Sequence, residues 1–208
     1  MNPALAAKQR LVEGNRRFVA SMQSEENRLG HLQRAELAKG QNPFAIILGC
    51  SDSRVPAEIV FDQGLGDLFV IRVAGNIVAP SQVGSVEFAV EQFGVPLVVV
   101  LGHSQCGAVE ATVQSLLHNA GLTSPNIAAI VQRIRPAVAP LLAERAGGDS
   151  ARLVEEGVRA NVLASVEQLR HGSAFLEQQV QAGELLIIGA KYSLKSGEVE
   201  FLQAADSA

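Results

Sequence analysis

Cys50 and Cys106 are the only cysteines of the chain, and each closely follows an apolar run. Cys50 ends Pro43-Phe44-Ala45-Ile46-Ile47-Leu48-Gly49-Cys50 and opens Cys50-Ser51-Asp52-Ser53-Arg54. Cys106 stands three residues after His103, in a loop that closes the run beginning at Leu97. If the two runs are neighbouring strands, two thiols and an imidazole converge on one point. Two sulfurs and one nitrogen leave one tetrahedral position open, the ligand count of a catalytic zinc site rather than a closed structural one. Asp52 and Arg54 lie in the same loop as a ligand, where a carboxylate and a guanidinium can orient what binds there. Singly, each residue has an ordinary use: a thiol as a small buried hydrophobe, a histidine as a helix cap, an Asp–Arg pair at the surface. The joint spacing points to a metal. A Cys50–Cys106 disulfide is disfavoured in a reducing compartment, and redox thiol chemistry commonly takes Cys-x-x-Cys, which the chain lacks.

The surrounding elements have to deliver these residues. Residues 3 to about 22 carry Leu5, Leu11, Val12, Phe18, Val19 and Met22 among charged residues, an amphipathic helix. A polar stretch at 24–33 precedes a short helical segment at 35–39. Strands are expected at 44–48, 68–73, 97–101 and 184–189, and a hairpin at 190–202 turning at Lys195-Ser196-Gly197. Helices are expected from a Ser81 cap to Phe93, ended by Gly94, and from 107 to 118. Another falls within 121–142, limited by Pro136 and Pro140. A polar loop at 146–150 precedes helices at 151–170 and 173–181. Continuous apolar strands alternating with helices mean an α/β fold. Its central sheet has about four parallel strands plus a C-terminal antiparallel hairpin strand, covered by helices. The chain is expected to form one domain over 1–208, with an N-terminal helical arm at 1–40 and an α/β core at 41–208. Sites in such sheets lie beyond the carboxyl ends of the strands, where strand order switches. Cys50, His103 and Cys106 all sit there.

Composition removes other classes. The 208 residues are 48% hydrophobic and 18% charged, enough for a large core and unlike a disordered chain. A net charge of −4 argues against nucleic acid or an anionic membrane as partner. No apolar run reaches the roughly 18 residues of a membrane span, and the first residues do not read as a signal peptide. The cytoplasm is the expected location.

Cys50-Ser51-Asp52-Ser53-Arg54 together with His103-Ser104-Gln105-Cys106-Gly107 resembles the β-class carbonic anhydrases. Glu13-Gly14-Asn15-Arg16-Arg17-Phe18, Gln41-Asn42-Pro43-Phe44, Val55-Pro56-Ala57-Glu58 and Arg72-Val73-Ala74-Gly75-Asn76 also resemble segments of that family. The resemblance implies reversible, zinc-dependent hydration of carbon dioxide to bicarbonate and a proton through a zinc-bound hydroxide. It implies one Zn2+ per chain on Cys50, His103 and Cys106, with Asp52 and Arg54 as the catalytic dyad. Asp52 is also a possible fourth ligand in an inactive state. Gln41, Phe69 and Ala74 fall where the family lines its substrate pocket, Phe88 is expected from the partner subunit, and the Gly107 amide is expected to bind bicarbonate. A homodimer or dimer-based homotetramer is implied, with the N-terminal helices lying across the partner and the sheets joining edge to edge. Relatives regulated by bicarbonate share a Trp, an Arg and a Tyr; here Arg72 and Tyr192 match, but the first position is Ile47. His31, His118 and His171 are expected to be solvated. Two alternatives keep the fold and the metal: hydrolysis of carbon disulfide or carbonyl sulfide, and a catalytically silent zinc-binding scaffold.

Overall fold

The computed structural model describes residues 2–20, 38, 40–118, 124–143 and 150–202. The expected polar stretch at 24–33, all but one residue of the helical segment at 35–39, His31 and most of the 146–150 loop lie outside them. Five strands form one sheet: β1 (Ala45–Gly49), β2 (Leu68–Arg72), β3 (Leu97–His103), β4 (Leu186–Tyr192) and β5 (Val199–Leu202). Their order is β2-β1-β3-β4-β5. β1 pairs in parallel with both β2 and β3, β3 in parallel with β4, and β5 antiparallel to β4. Every residue of β1 and β3 is buried, which is why both read as unbroken apolar runs. The expected hairpin is present, but its first arm is β4 itself, continued without a break to Tyr192.

The chain leaves β1 to one side to form β2 and returns on the other side to form β3. The carboxyl ends of β1 and β3 are therefore the switch point, and they are direct neighbours, with Gly49 opposite Leu101. One face of the sheet, through Ile46, Leu48, Val98, Val100 and Ile187, packs on helices α3 (Pro80–Phe93), α6 (Ser150–His171) and α7 (Ala174–Gln181). Helices α4 (Gly107–His118), α5 (Pro125–Ala143) and α6 close a further cluster containing both cysteines. The other face, through Ile47, Val99, Leu101 and Tyr192, receives α1 (Pro3–Val19) and the short α2 (Ala57–Val60).

The motif Gly14-Asn15-Arg16-Arg17-Phe18 explains how α1 docks. A Cβ on Gly14 would lie 1.7 Å from the Phe61 carbonyl oxygen, so only glycine allows this approach. Asn15 donates to the carbonyls of Val60 and Gly197 and accepts from the Val199 amide. Arg17 pairs with Asp62 at 2.5 Å, and Phe18 lies 6.5 Å from the Tyr192 ring. The helix expected to lie across a partner thus has its buried face on its own domain.

Three local expectations are corrected. α3 starts at Pro80 with Ala79 at its cap, and the Ser81 hydroxyl donates to Gln82 instead of capping. Proline has no amide to leave unpaired in a first turn and its φ is already helical. Pro136 and Pro140 do not limit α5; both lie inside it. The carbonyls they deprive of partners belong to Gln132 and Pro136, which face solvent, while Val131, Ile134 and Val138 keep the buried face intact. β3 runs two residues further than expected, so His103 is its last residue.

Candidate metal centre

The last residue of β3, the first residue after β1 and the residue before α4 meet at the switch point. One ligand atom each from Cys50, His103 and Cys106 lies within 4.8 Å of the others, and all three residues are buried. Among the described residues this is the only such group of histidines, cysteines or carboxylates. The loop between His103 and Cys106 turns tightly through Gln105, whose φ is 55°. Two bonds tie this loop to the end of β4 and to Leu194 just beyond it. The Ser104 amide donates to the Tyr192 carbonyl, and the Ser104 hydroxyl accepts from the Leu194 amide.

The donors fit zinc. His103 Nδ1 faces the Ser104 carbonyl at 2.9 Å, so that nitrogen carries the proton and Nε2 keeps its lone pair. Nε2 is buried and has no hydrogen-bond partner, the state of an imidazole nitrogen built to bind a metal. The Cys106 thiol donates to the Cys50 sulfur. This draws the Cys50 thiol well below its ordinary range against the opposing effect of burial, with His103 and the Gly75 amide adding to it. The same bond, with burial, pushes the Cys106 thiol up. Burial disfavours a charged His103, but the nearby Cys50 sulfur, the Ser104 carbonyl and the Asp52 carboxylate together outweigh it and raise the ring's pKa. Two soft sulfurs, one imidazole nitrogen and an open side are the donor set of a zinc site that accepts a further ligand.

Asp52 stands at the mouth of this group, its Oδ2 3.9 Å from His103 Nε2. Arg54 grips it with Nε on Oδ1 at 2.9 Å and Nη2 on Oδ2 at 2.8 Å, and the Arg54 amide adds a third bond at 3.0 Å. These bonds hold the Asp52 carboxyl well below the usual carboxylate range. In this arrangement both carboxylate oxygens belong to Arg54.

Two residues whose part sequence reading did not foresee complete the loop. Arg72, paired with Gly49 in the sheet, donates from Nε to the Cys50 carbonyl at 3.1 Å and from Nη2 to the Asp52 carbonyl at 2.6 Å. The Gly75 amide donates to the Cys50 sulfur at 3.3 Å. Arg72 is thus engaged with the ligand loop, while Ile47 and Tyr192 are buried in the core under α1. Ala-Gly-Asn after a strand was the available signal for Gly75.

The remaining expected site residues divide. Ala74 immediately precedes Gly75, and Gly107 is the first residue of α4, where a helix presents unpaired amides. Phe69 pairs with Ile46, about 13 Å of strand before Cys50. It stacks with Phe88 and Phe93 at ring distances of 6.3 and 6.1 Å. Gln41 is exposed and precedes the start of β1, the end opposite Cys50. His118 and His171 are exposed, as expected.

A family model for carbonic anhydrase matches residues 45–199. A carbonic anhydrase of Mycolicibacterium smegmatis is 43% identical over 199 residues, covering 96% of this chain and 93% of the relative. Carbonic anhydrase 2 of Mycobacterium tuberculosis is 43% identical over 197 residues, covering 94% and 91%. Among solved structures, the β-carbonic anhydrase CafA of Aspergillus fumigatus superposes with a TM-score of 0.75 at 30% identity, over 86% of each chain. The matched span encloses both cysteine loops, and the fold superposes on that of a solved β-carbonic anhydrase; the chain belongs to the β-carbonic anhydrase family, whose members are lyases that catalyse the hydration of carbon dioxide.

Proposed function

We propose that this chain is a zinc enzyme that reversibly hydrates carbon dioxide to bicarbonate and a proton. The observation that carries this reading is a buried imidazole nitrogen without a protein partner, beside two thiols and an arginine-held carboxylate. Zinc held by Cys50, His103 and Cys106 supplies a Lewis acid that brings the pKa of a coordinated water down toward about 7. Asp52 accepts a hydrogen bond from the attacking water and fixes its orientation. Arg54 keeps Asp52 ionised and aimed. The Gly107 amide, at the start of α4, donates to a bicarbonate oxygen. Ala74 borders the pocket. Gln41, Phe69 and Phe88 finish it from a second copy of the chain, because in one chain they lie toward the opposite end of the strands. The working assembly is a homodimer or a dimer-based tetramer. The cytoplasm suits two free, buried thiols.

The test is stopped-flow hydration on protein of measured zinc content, from about pH 6.5 to 9. About one zinc per chain is expected, with activity that rises with pH. Asp52→Asn is expected to keep its zinc and lose about a hundredfold in rate; an unchanged rate removes Asp52 from the mechanism. Full zinc with no hydration at any pH sinks the proposed reaction and directs attention to carbon disulfide and carbonyl sulfide.

A further inference from the structure

We propose that Asn161, on α6, is a positioning residue for the metal centre, acting through the Gly75–Asn76 turn on the Cys50 sulfur. The proposal rests on the reading of Cys50, His103 and Cys106 as metal ligands. The turn is unusual backbone. Gly75 has φ 71° and Asn76 φ 43°, two successive residues in the left-handed region. A Cβ on Gly75 would meet Ile134 Cδ1 at 2.7 Å and Ala108 Cβ at 3.0 Å, so the turn is also tightly enclosed. Such a conformation persists only when its surroundings dictate it.

The surroundings are two side chains one helical turn apart. Asn161 Nδ2 donates to the Gly75 carbonyl at 2.8 Å, and Ser165 Oγ donates to the Asn76 carbonyl at 3.2 Å. Asn161 is 2% exposed and Ser165 3%. Their neighbours on that side of α6 are Val158, Val162, Val166 and Leu169, all buried. A buried amide in such company is costly unless its bonds are used. α6 comes close enough to use them because it crosses the sheet at Gly102 and Gly189, where a Cβ would meet Val162 at 2.5 and 2.7 Å.

The consequence falls on Cys50. The residue whose carbonyl Asn161 holds is the one whose amide donates to the Cys50 sulfur. Fixing the two carbonyls that follow the Gly75 amide holds the left-handed turn, and with it the aim of that amide. A hydrogen bond at sulfur takes up part of the negative charge that a thiolate passes to a metal, and a metal bound here would be held by two thiolates. Asn161 therefore tunes the centre from a helix 86 residues away in sequence from the turn it holds.

The test compares Asn161→Leu, Ser165→Ala and the packing control Val166→Ala. Gly75 amide exchange is read by NMR on metal-free protein. Affinity and the thiolate-to-metal absorption band are read with Co2+. Asn161→Leu is expected to lose Gly75 amide protection, shift the cobalt band and weaken Co2+ binding about tenfold. Ser165→Ala shifts the same readouts in the same direction by less. Val166→Ala lowers the melting temperature and leaves the amide, the band and the affinity unchanged. Parental values of all three in Asn161→Leu overturn the proposal, as does an equal change in Val166→Ala. Should Asn161→Leu not fold, parental values in Ser165→Ala overturn it. A parent protein that binds Co2+ but hydrates no carbon dioxide fails the proposed reaction alone, since these readouts do not need turnover. A parent that binds no Co2+ overturns both.

Discussion

The Arg54 guanidinium covers both oxygens of Asp52, and this geometry is what separates arginine from lysine at the position. A lysine offers a point charge and cannot hold two oxygens in one plane. Arg54→Lys is expected to retain zinc, lose about tenfold in hydration rate and leave the melting temperature nearly unchanged, since Arg54 is largely exposed. A parental rate in that variant would show that the charge alone suffices. Tyr192 provides a second test. It is the single tyrosine of a chain without tryptophan, so its ultraviolet titration reports one group. Burial raises its pKa above the ordinary phenol value of about 10. The folded chain therefore keeps this proton to higher pH than the unfolded chain. Stability associated with it is complete below the ordinary phenol range and is lost as pH rises through the folded value. The titration should move down to about 10 in denaturant; no movement would mean that Tyr192 is solvated in the fold.

At the level of elements, the buried face of α1 is fixed in place by the close approach at Gly14 and by Asn15 with its three backbone bonds, beside the Arg17–Asp62 pair. Gly14→Ala forces the helix off the Phe61 carbonyl, and the expected loss is about 3 kcal/mol, the upper range for overpacking. Because Phe18 of α1 faces Tyr192, tyrosine fluorescence and near-ultraviolet circular dichroism should change with it. A parental melting temperature in Gly14→Ala would show that α1 docks differently. α5 teaches the opposite lesson about sequence signals. Two prolines predict an end, but a helix with a fully satisfied buried face tolerates them where the orphaned carbonyls meet water.

For the whole molecule, β2 is an edge of the sheet among the described residues, and Phe69 of that strand stacks with Phe88 and Phe93. Phe88 is 50% exposed. An edge strand beside exposed aromatic surface is a place where a second chain is expected to join. Light scattering on the eluting protein should give a dimer or a multiple of it. Phe88→Glu should shift it toward monomer and depress hydration, as a site finished by a second copy requires. An intact assembly with a glutamate at 88 would place the interface elsewhere.

The grouping of Cys50, His103 and Cys106, the Asp52–Arg54 pair beside them and the α/β class were legible in the sequence because each rests on short-range regularity. Apolar runs define buried strands, and residues that directly follow such strands must gather at one edge of a parallel sheet. Cys50, Asp52 and Arg54 alternate with single serines, so their grouping needed no long-range information. Tertiary structure alone decided which side chains hold that loop in place. Arg72 on the Cys50 and Asp52 carbonyls, Gly75 on the Cys50 sulfur and Asn161 on the Gly75 carbonyl come from other segments. It also decided that Gln41 and Phe69 lie toward the far end of the strands from Cys50, because strand register fixes distance along the sheet. Local spacing specifies which chemistry is present; the crossing of α6 over the sheet and the pairing of the strands determine how it is aimed.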